Sequence, residues 1–227
     1  AEISRPKAKG DITLKAEVSF SGSPPYRVKL RRAEPGGEDF NNRPRYDLAA
    51  YELQKLFLEP TEYVVPPTAL RTVPVAELLP YAPLARPTFR GSDEVLVVLQ
   101  YWLQEVKVVA DAYDPALFNS DPGYARHIGQ LNVLTYLIEH GDANLGNFLA
   151  SRAEQSPRVF SVDKGVAFAH NESDRSDVWK YLRVPSLPAD TISRLRALSQ
   201  DQLQERLGVL AQWRLDDGRW IAEPPGA

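Results

Sequence analysis

His140-Gly141-Asp142-Ala143-Asn144-Leu145-Gly146-Asn147, with Val162-Asp163-Lys164-Gly165 following it, decides how the rest of this sequence is read. Asp142 and Asn147 share a glycine-containing loop, and a second aspartate stands before a glycine at the end of an apolar run. Upstream, residues 123–139 place Ile128, Leu131, Leu134, Thr135 and Ile138 on one face at helical spacing. Between the two polar motifs, 148–150 and 159–162 pattern as a small hairpin around a turn at 154–157. Helix, loop, hairpin and loop in that order can bring Asp142, Asn147 and Asp163 to one side.

Toward the N-terminus the pattern changes to period two. Residues 11–20 alternate, 21–25 form a Ser/Gly/Pro turn, and 26–32 are expected to return as a second strand. The second strand carries a basic patch, Arg27-Val28-Lys29-Leu30-Arg31-Arg32, whose plain reading is a solvated strand edge blunted by charge. A Gly/Pro/Asn-rich loop leads to an amphipathic helix over 45–57, ended by Pro60. Short strands are expected at 63–65 and 70–73. The run Glu94 to Leu103, rich in β-branched and aromatic residues, predicts a central strand buried on both faces. Beyond Pro188 the chain is expected to be helical over 189–198. A capping box at Ser199-Gln200-Asp201-Gln202 opens another helix, and a turn at 216–218 lies between Trp213 and Trp220. The succession is not a βαβ series. It predicts an α+β protein of two unlike lobes, a β-rich N-lobe with one helix (1–104) and a mainly helical C-lobe (105–227).

Composition removes several function classes. A net charge of -3 over 227 residues gives no general attraction to nucleic acid. No apolar run approaches the roughly 20 residues that span a bilayer, so no transmembrane segment is expected. Without cysteine, disulfides, thiolate catalysis and Cys-ligated zinc are excluded. The three histidines, His127, His140 and His170, lack helical metal-ligand spacing. No G-x-S-x-G serine site is present. The absence of both Cys and Met, with Ala1 resembling the residue after a signal-peptidase cut, points to a secreted or periplasmic protein, with a cytoplasmic one as the alternative.

The chemistry left is that of oxygen donors. Asp142 facing a cleft would accept a hydrogen bond from a hydroxyl and align it for attack on a γ-phosphate. Asn147 offers a neutral oxygen and Asp163 a charged one to Mg²⁺, which prefers oxygen ligands and keeps several waters. Gly165 would let the backbone turn sharply there. The competing reading is that Asp, Asn and Gly simply make Asx turns and caps.

The block resembles the catalytic and metal-binding loops of the protein-kinase-like superfamily. His140 to Asn147 is similar to the H-G-D-x-x-x-x-N of aminoglycoside phosphotransferases and choline kinases. Its Asp-x-Asn-x-Gly-Asn core is equally similar to type II phosphatidylinositol 4-kinases and to secretory-pathway kinases of the Golgi casein kinase type. Asp47-Leu48-Ala49-Ala50-Tyr51-Glu52-Leu53, followed by Val65-Pro66-Pro67-Thr68, resembles the E-x-A-A-[FY]-x-L-D…V-P-P-T pattern around the regulatory helix of those atypical kinases.

The resemblance implies a two-lobed kinase fold and the cofactors ATP and Mg²⁺, with Mn²⁺ as an alternative ion. It makes Lys29 the strand lysine that contacts phosphates, paired with Asp47 or with Glu52. These two lie about 140° apart around a helix, so they cannot face Lys29 equally. It further implies Asp142 as the catalytic carboxylate, Asn147 and Asp163 as metal ligands, and His140 as an orienting residue. Asn144 stands two residues after Asp142, where eukaryotic protein kinases carry a lysine, and is a cofactor-side candidate. Tyr101 and Trp102, near a presumed hinge, would border the adenine or pack in the core. Trp179 would shape an acceptor site or anchor its own segment. The implied acceptor is a protein Ser/Thr hydroxyl, then a carbohydrate or lipid-headgroup hydroxyl. The rival reading is a pseudokinase that binds nucleotide or a partner. No glycine-rich loop precedes Lys29, only Lys7-Ala8-Lys9-Gly10, and Lys164 follows the metal aspartate.

Overall fold

In the computed structural model the described residues are 3–4, 13–19, 22–33, 44–111, 113–168, 182–208, 213–216 and 219–222. They form an α+β structure built on antiparallel sheets. The largest sheet comprises β1 (Ile3–Ser4), β2 (Thr13–Val18), β3 (Tyr26–Arg32), β4 (Thr68–Pro74) and β5 (Glu94–Tyr101), in the order β1-β2-β3-β5-β4. The hairpin of β2 and β3 forms as its alternation predicts. β3, however, is an interior strand paired on both sides, which corrects the strand-edge reading of its basic patch. Only Arg27 has the expected exposed character, meeting Glu17 at 3.2 Å, whereas Arg31 and Arg32 are buried.

Strand parity divides this sheet. Leu14, Ala16, Val28, Leu30, Val95 and Val97 face a core closed by Leu78, Ala82 and Ala85, from the short helix α2 (Val75–Leu78) and the turns after it. The opposite face holds the cross-strand row Lys15, Lys29, Gln100 and Thr68, with Arg31 and Val98 in the next row. Each buried Val or Leu side chain contributes roughly 1.5–3 kcal/mol. A slip of one residue would put the lysines into the apolar core, so the register is tightly fixed.

Helix α1 (Pro44–Gln54) packs against β4 and β5 on the polar-row face. Its Ala50 and Leu53, with Phe57, Val64 and Val65, join a second core around Ile128, Leu131 and Leu134 of α4 (Pro122–Leu137). The backbone over 63–65 is not a strand. Its N–H groups are taken by the fully buried Gln54, whose Oε1 accepts from Val64 N and Val65 N, both at 2.9 Å. A short α3 (Pro115–Ser120) precedes α4, each capped by an aspartate, Asp114 or Asp121. The expected hairpin is β7 (Phe148–Ser151) with β8 (Val159–Ser161). A third strand that the sequence pattern did not indicate, β6 (Val106–Val108), pairs with β7. Then come α5 (Ala189–Arg196) and α6 (Gln200–Gly208), opened by reciprocal Ser199 and Gln202 bonds, and a hairpin of β9 (Trp213–Asp216) with β10 (Arg219–Ala222). No helix among the described residues is long and apolar enough to cross a membrane.

His127 is a satisfied core residue, its Nε2 donating to Val159 O at 2.9 Å. Burial, and then the charge of Arg158, lower its pKa from 6.5 to about 4. The unfolded chain therefore binds the proton first as pH falls. The stability this contributes, about 3 kcal/mol, is complete above pH 6.5 and lost toward pH 4. His127→Gln, which keeps a donor for Val159, should reduce the loss of urea-unfolding free energy between pH 7 and 4.5 by about 2 kcal/mol. An unchanged pH dependence would refute the assignment.

Candidate functional site

The polar face of the sheet meets the start of α1 through the ion pair of Arg31 with Asp47. Lys29 and Arg31 are two apart on β3 and project to the same side. Asp47, in the first turn of α1, sits where a helix terminus favours negative charge. Its Oδ2 accepts from Arg31 Nη1 at 2.9 Å, and its Oδ1 accepts from the backbone N–H of Lys164 at 2.9 Å. The expected pairing of Asp47 with Lys29 is therefore corrected: the buried helix acid takes Arg31, one strand repeat further on. Glu52 does not serve Lys29 either. It lies elsewhere around α1 and pairs with Lys55 and Arg206. Lys29 instead reaches Asp163, Nζ to Oδ1 at 3.1 Å, and Arg31 Nη1 approaches the same oxygen at 3.3 Å. The side chain of Asp163 is 44% exposed and that of Lys29 15%, so this end of the cluster opens outward while Arg31–Asp47 is sealed.

The loop from His140 to Asn147 is tied to Asp163 from beneath. His140 is fully buried, and its Nε2 lies 3.0 Å from Asp163 O. A carbonyl can only accept, so Nε2 carries the proton and Nδ1 accepts from Ser161 Oγ at 3.3 Å. Burial, followed by the nearby Lys164 charge, lowers the His140 pKa to about 4, leaving a neutral ring with a fixed tautomer. Asp163 itself has φ of 59°, a left-handed conformation that Asp tolerates better than most residues. The chain then bends at Gly165, as the glycine predicts.

Asn147 O accepts from Val162 N at 2.9 Å, holding the loop against the end of the β7–β8 hairpin. Asn147 Nδ2 donates to Asp142 O at 2.7 Å and to Asp142 Oδ2 at 3.2 Å; Asn144 Nδ2 donates to Asp142 Oδ1 at 3.0 Å. Because Asp142's oxygens accept, the amide nitrogens must face them, which turns each Asn carbonyl oxygen away. A Cβ at Gly146 would fall 2.9 Å from Asn144 Oδ1, so the glycine makes room for this clamp.

Two charges in the cluster are shifted from their ordinary values. Partial burial raises the pKa of Asp163, but Lys29 and Arg31 outweigh it and hold the carboxyl below its ordinary range. Lys164 is completely buried, its Nζ donating to Ser161 O. Burial pushes its pKa down to about 7, against the pull of Asp47 and Asp163. Lys164 is thus a residue of the interior, not a cation exposed beside Asp163.

Trp102 shares the face of Gln100 and is 36% exposed. Lys15 Nζ lies 4.3 Å from its ring centroid. Tyr101, one residue back, meets Tyr26 edge-on at 6.4 Å. Lys7 to Gly10, His170 and Trp179 lie outside the described residues. Sequence reasoning missed Arg31, Lys15 and the Ser161 hydroxyl; for the two cations the available signal was their parity with Lys29. Among the described residues no group of three or more His, Cys, Asp or Glu could hold a metal ion. Asn147 and Asp163 carry oxygen donors of the type that Mg²⁺ takes, an ion that completes its shell from water and phosphate. No protein-family model matches the chain, and no curated protein matches it.

Asp47→Ala would leave the buried Arg31 guanidinium and the Lys164 N–H without their shared acceptor. Urea unfolding should show a loss of about 3–5 kcal/mol, with Asp47→Asn losing less because it keeps an acceptor for Lys164 N. A loss under about 1 kcal/mol for Asp47→Ala would contradict this role.

Proposed function

We propose that the chain is an ATP- and Mg²⁺-dependent phosphotransferase with a two-lobed protein-kinase-like fold. In this reading the five-stranded sheet with α1 is the N-lobe, and α3 to α6 with the β6–β8 sheet belong to the C-lobe. The observation that carries it is the convergence of Lys29, Arg31, Asp47 and Asp163 from β3, α1 and the segment after β8, with Lys29 at 3.1 Å from Asp163. A lysine beside a half-exposed carboxylate is a resting pair that phosphate and a divalent cation can separate, each taking one partner. Lys15 lies directly across from Lys29, so once a divalent cation takes Asp163 the two like charges would favour an anion beside them.

Lys29 then binds the nucleotide phosphates. Asn147 and Asp163 would hold Mg²⁺, which supplies neutralisation of the phosphate charge. Asp142, oriented by Asn144 and Asn147, accepts the hydrogen bond of the attacking hydroxyl and aims it at the γ-phosphorus. Trp102, capped by a lysine that an anion can draw off, offers an aromatic face to the base. The resemblance of the loop motifs supports a protein Ser/Thr hydroxyl as acceptor, with carbohydrate or lipid-headgroup hydroxyls next.

A second reading, a nucleotide- or partner-binding regulatory module without transfer, is favoured by one feature. Asp163 is already matched by two cations and Asp142 by two amides, so the acidic groups are satisfied without ligand. Thermal denaturation with ATP, with and without Mg²⁺, tests the part both readings share. A stabilisation of about 2–3 kcal/mol at a hundredfold excess over Kd is expected with Mg²⁺, and is expected to disappear in Asp163→Ala. No shift in the wild-type protein would sink the phosphotransferase and the nucleotide-binding module, leaving only a partner-binding one.

A further inference from the structure

We propose that Arg31 is the positioning residue for Asp163: it keeps one oxygen of that carboxylate fixed while Lys29 departs to the nucleotide phosphates. The inference rests on the phosphotransferase reading and gives Arg31 a role that reading leaves unassigned. The two cations on Asp163 Oδ1 differ in freedom. Lys29 is a point charge on a flexible stem, partly exposed, and Asp163 is its ion-pair partner at 3.1 Å. Arg31 is buried, and the same Nη1 that lies 3.3 Å from Asp163 lies 2.9 Å from Asp47. Asp47 is itself fixed through its other oxygen by the Lys164 N–H, one peptide along from Asp163. The guanidinium, the helix acid and the Asp163–Lys164 backbone thus close a ring of contacts that no ligand need disturb.

When Lys29 moves, Asp163 would lose a counter-charge and an orienting contact together. Arg31 retains both. Carboxylates that ligate metals are commonly held in this way by a second partner, and its removal typically costs about 10–100-fold in metal affinity. Dividing the work also explains why the helix acid pairs with Arg31. A lysine tied to a sealed ion pair could not exchange between Asp163 and phosphate.

The test measures Mn²⁺ binding by electron paramagnetic resonance in the presence of saturating β,γ-imido-ATP, with folding of each variant checked by circular dichroism. R31K keeps the charge without the planar fork and should weaken Mn²⁺ several-fold. The double variant R31Q/D47N replaces the buried ion pair by an amide pair, so that no uncompensated charge is left, and should weaken it by about 10–100-fold. K29M should weaken the nucleotide without weakening Mn²⁺. Folded Arg31 variants that bind Mn²⁺ within about twofold of wild type overturn the role of Arg31 while leaving the phosphotransferase reading intact. A wild-type protein that binds neither Mn²⁺ nor the nucleotide analogue overturns both.

Discussion

The carboxylate of Asp47 is shared between a strand and a loop that are otherwise far apart in the chain. One oxygen holds Arg31 of β3 and the other holds the backbone of Lys164, so α1, the large sheet and the segment after β8 are fixed at one point. A buried ion pair of this kind contributes little net stability, because desolvation offsets most of the Coulomb gain. Its effect is positional. Breaking it removes the nearer of the two carboxylates on a buried guanidinium, which makes other placements of α1 costly. Everything at the site inherits this geometry: Asp163 is one residue from the anchored peptide, and Lys29 is one strand repeat from the anchored arginine.

A second constraint acts from below. His140 stays neutral because it is buried, and a neutral imidazole has one donor and one acceptor. With the donor on Asp163 O and the acceptor on Ser161, the ring links the Asp142 loop to Asp163 in a single orientation. The left-handed backbone of Asp163, a modest local strain, is thereby held between the histidine and the Asp47 anchor. The buried Lys164 ammonium is a cost of the same arrangement, reduced by its bond to Ser161 O and by the nearby carboxylates.

Much of this was legible in local sequence. The 140–147 motif and Asp163 are separated by a short hairpin whose alternation is plain, and helix spacing before His140 is strong. The β2–β3 hairpin and β5 likewise follow from period-two patterning and from a run of β-branched residues. What was not legible depends on tertiary pairing. Lys29 and Arg31 have the same parity, so no pattern in β3 says which of them meets the helix acid; the register of β3 against α1 decides. The patch 27–32 resembled an edge because edge and interior strands with one polar face have the same alternation, and only the pairing of β5 with β3 distinguishes them. β6 is three residues long and follows Glu105 at φ of 49°, too short for a periodic signal.

The central claim is that these residues act on a nucleotide γ-phosphate, and ³¹P NMR of ATP with Mg²⁺ tests it most directly. The spectrum would be followed with water alone as acceptor and then with Ser/Thr peptides, sugars and inositol headgroups. The wild-type protein should convert ATP to ADP with at least one acceptor. Asp142→Ala should abolish that conversion while nucleotide still stabilises it against heat. ATP consumed no faster by the wild type than by Asp142→Ala, with every acceptor, would contradict phosphoryl transfer at this site.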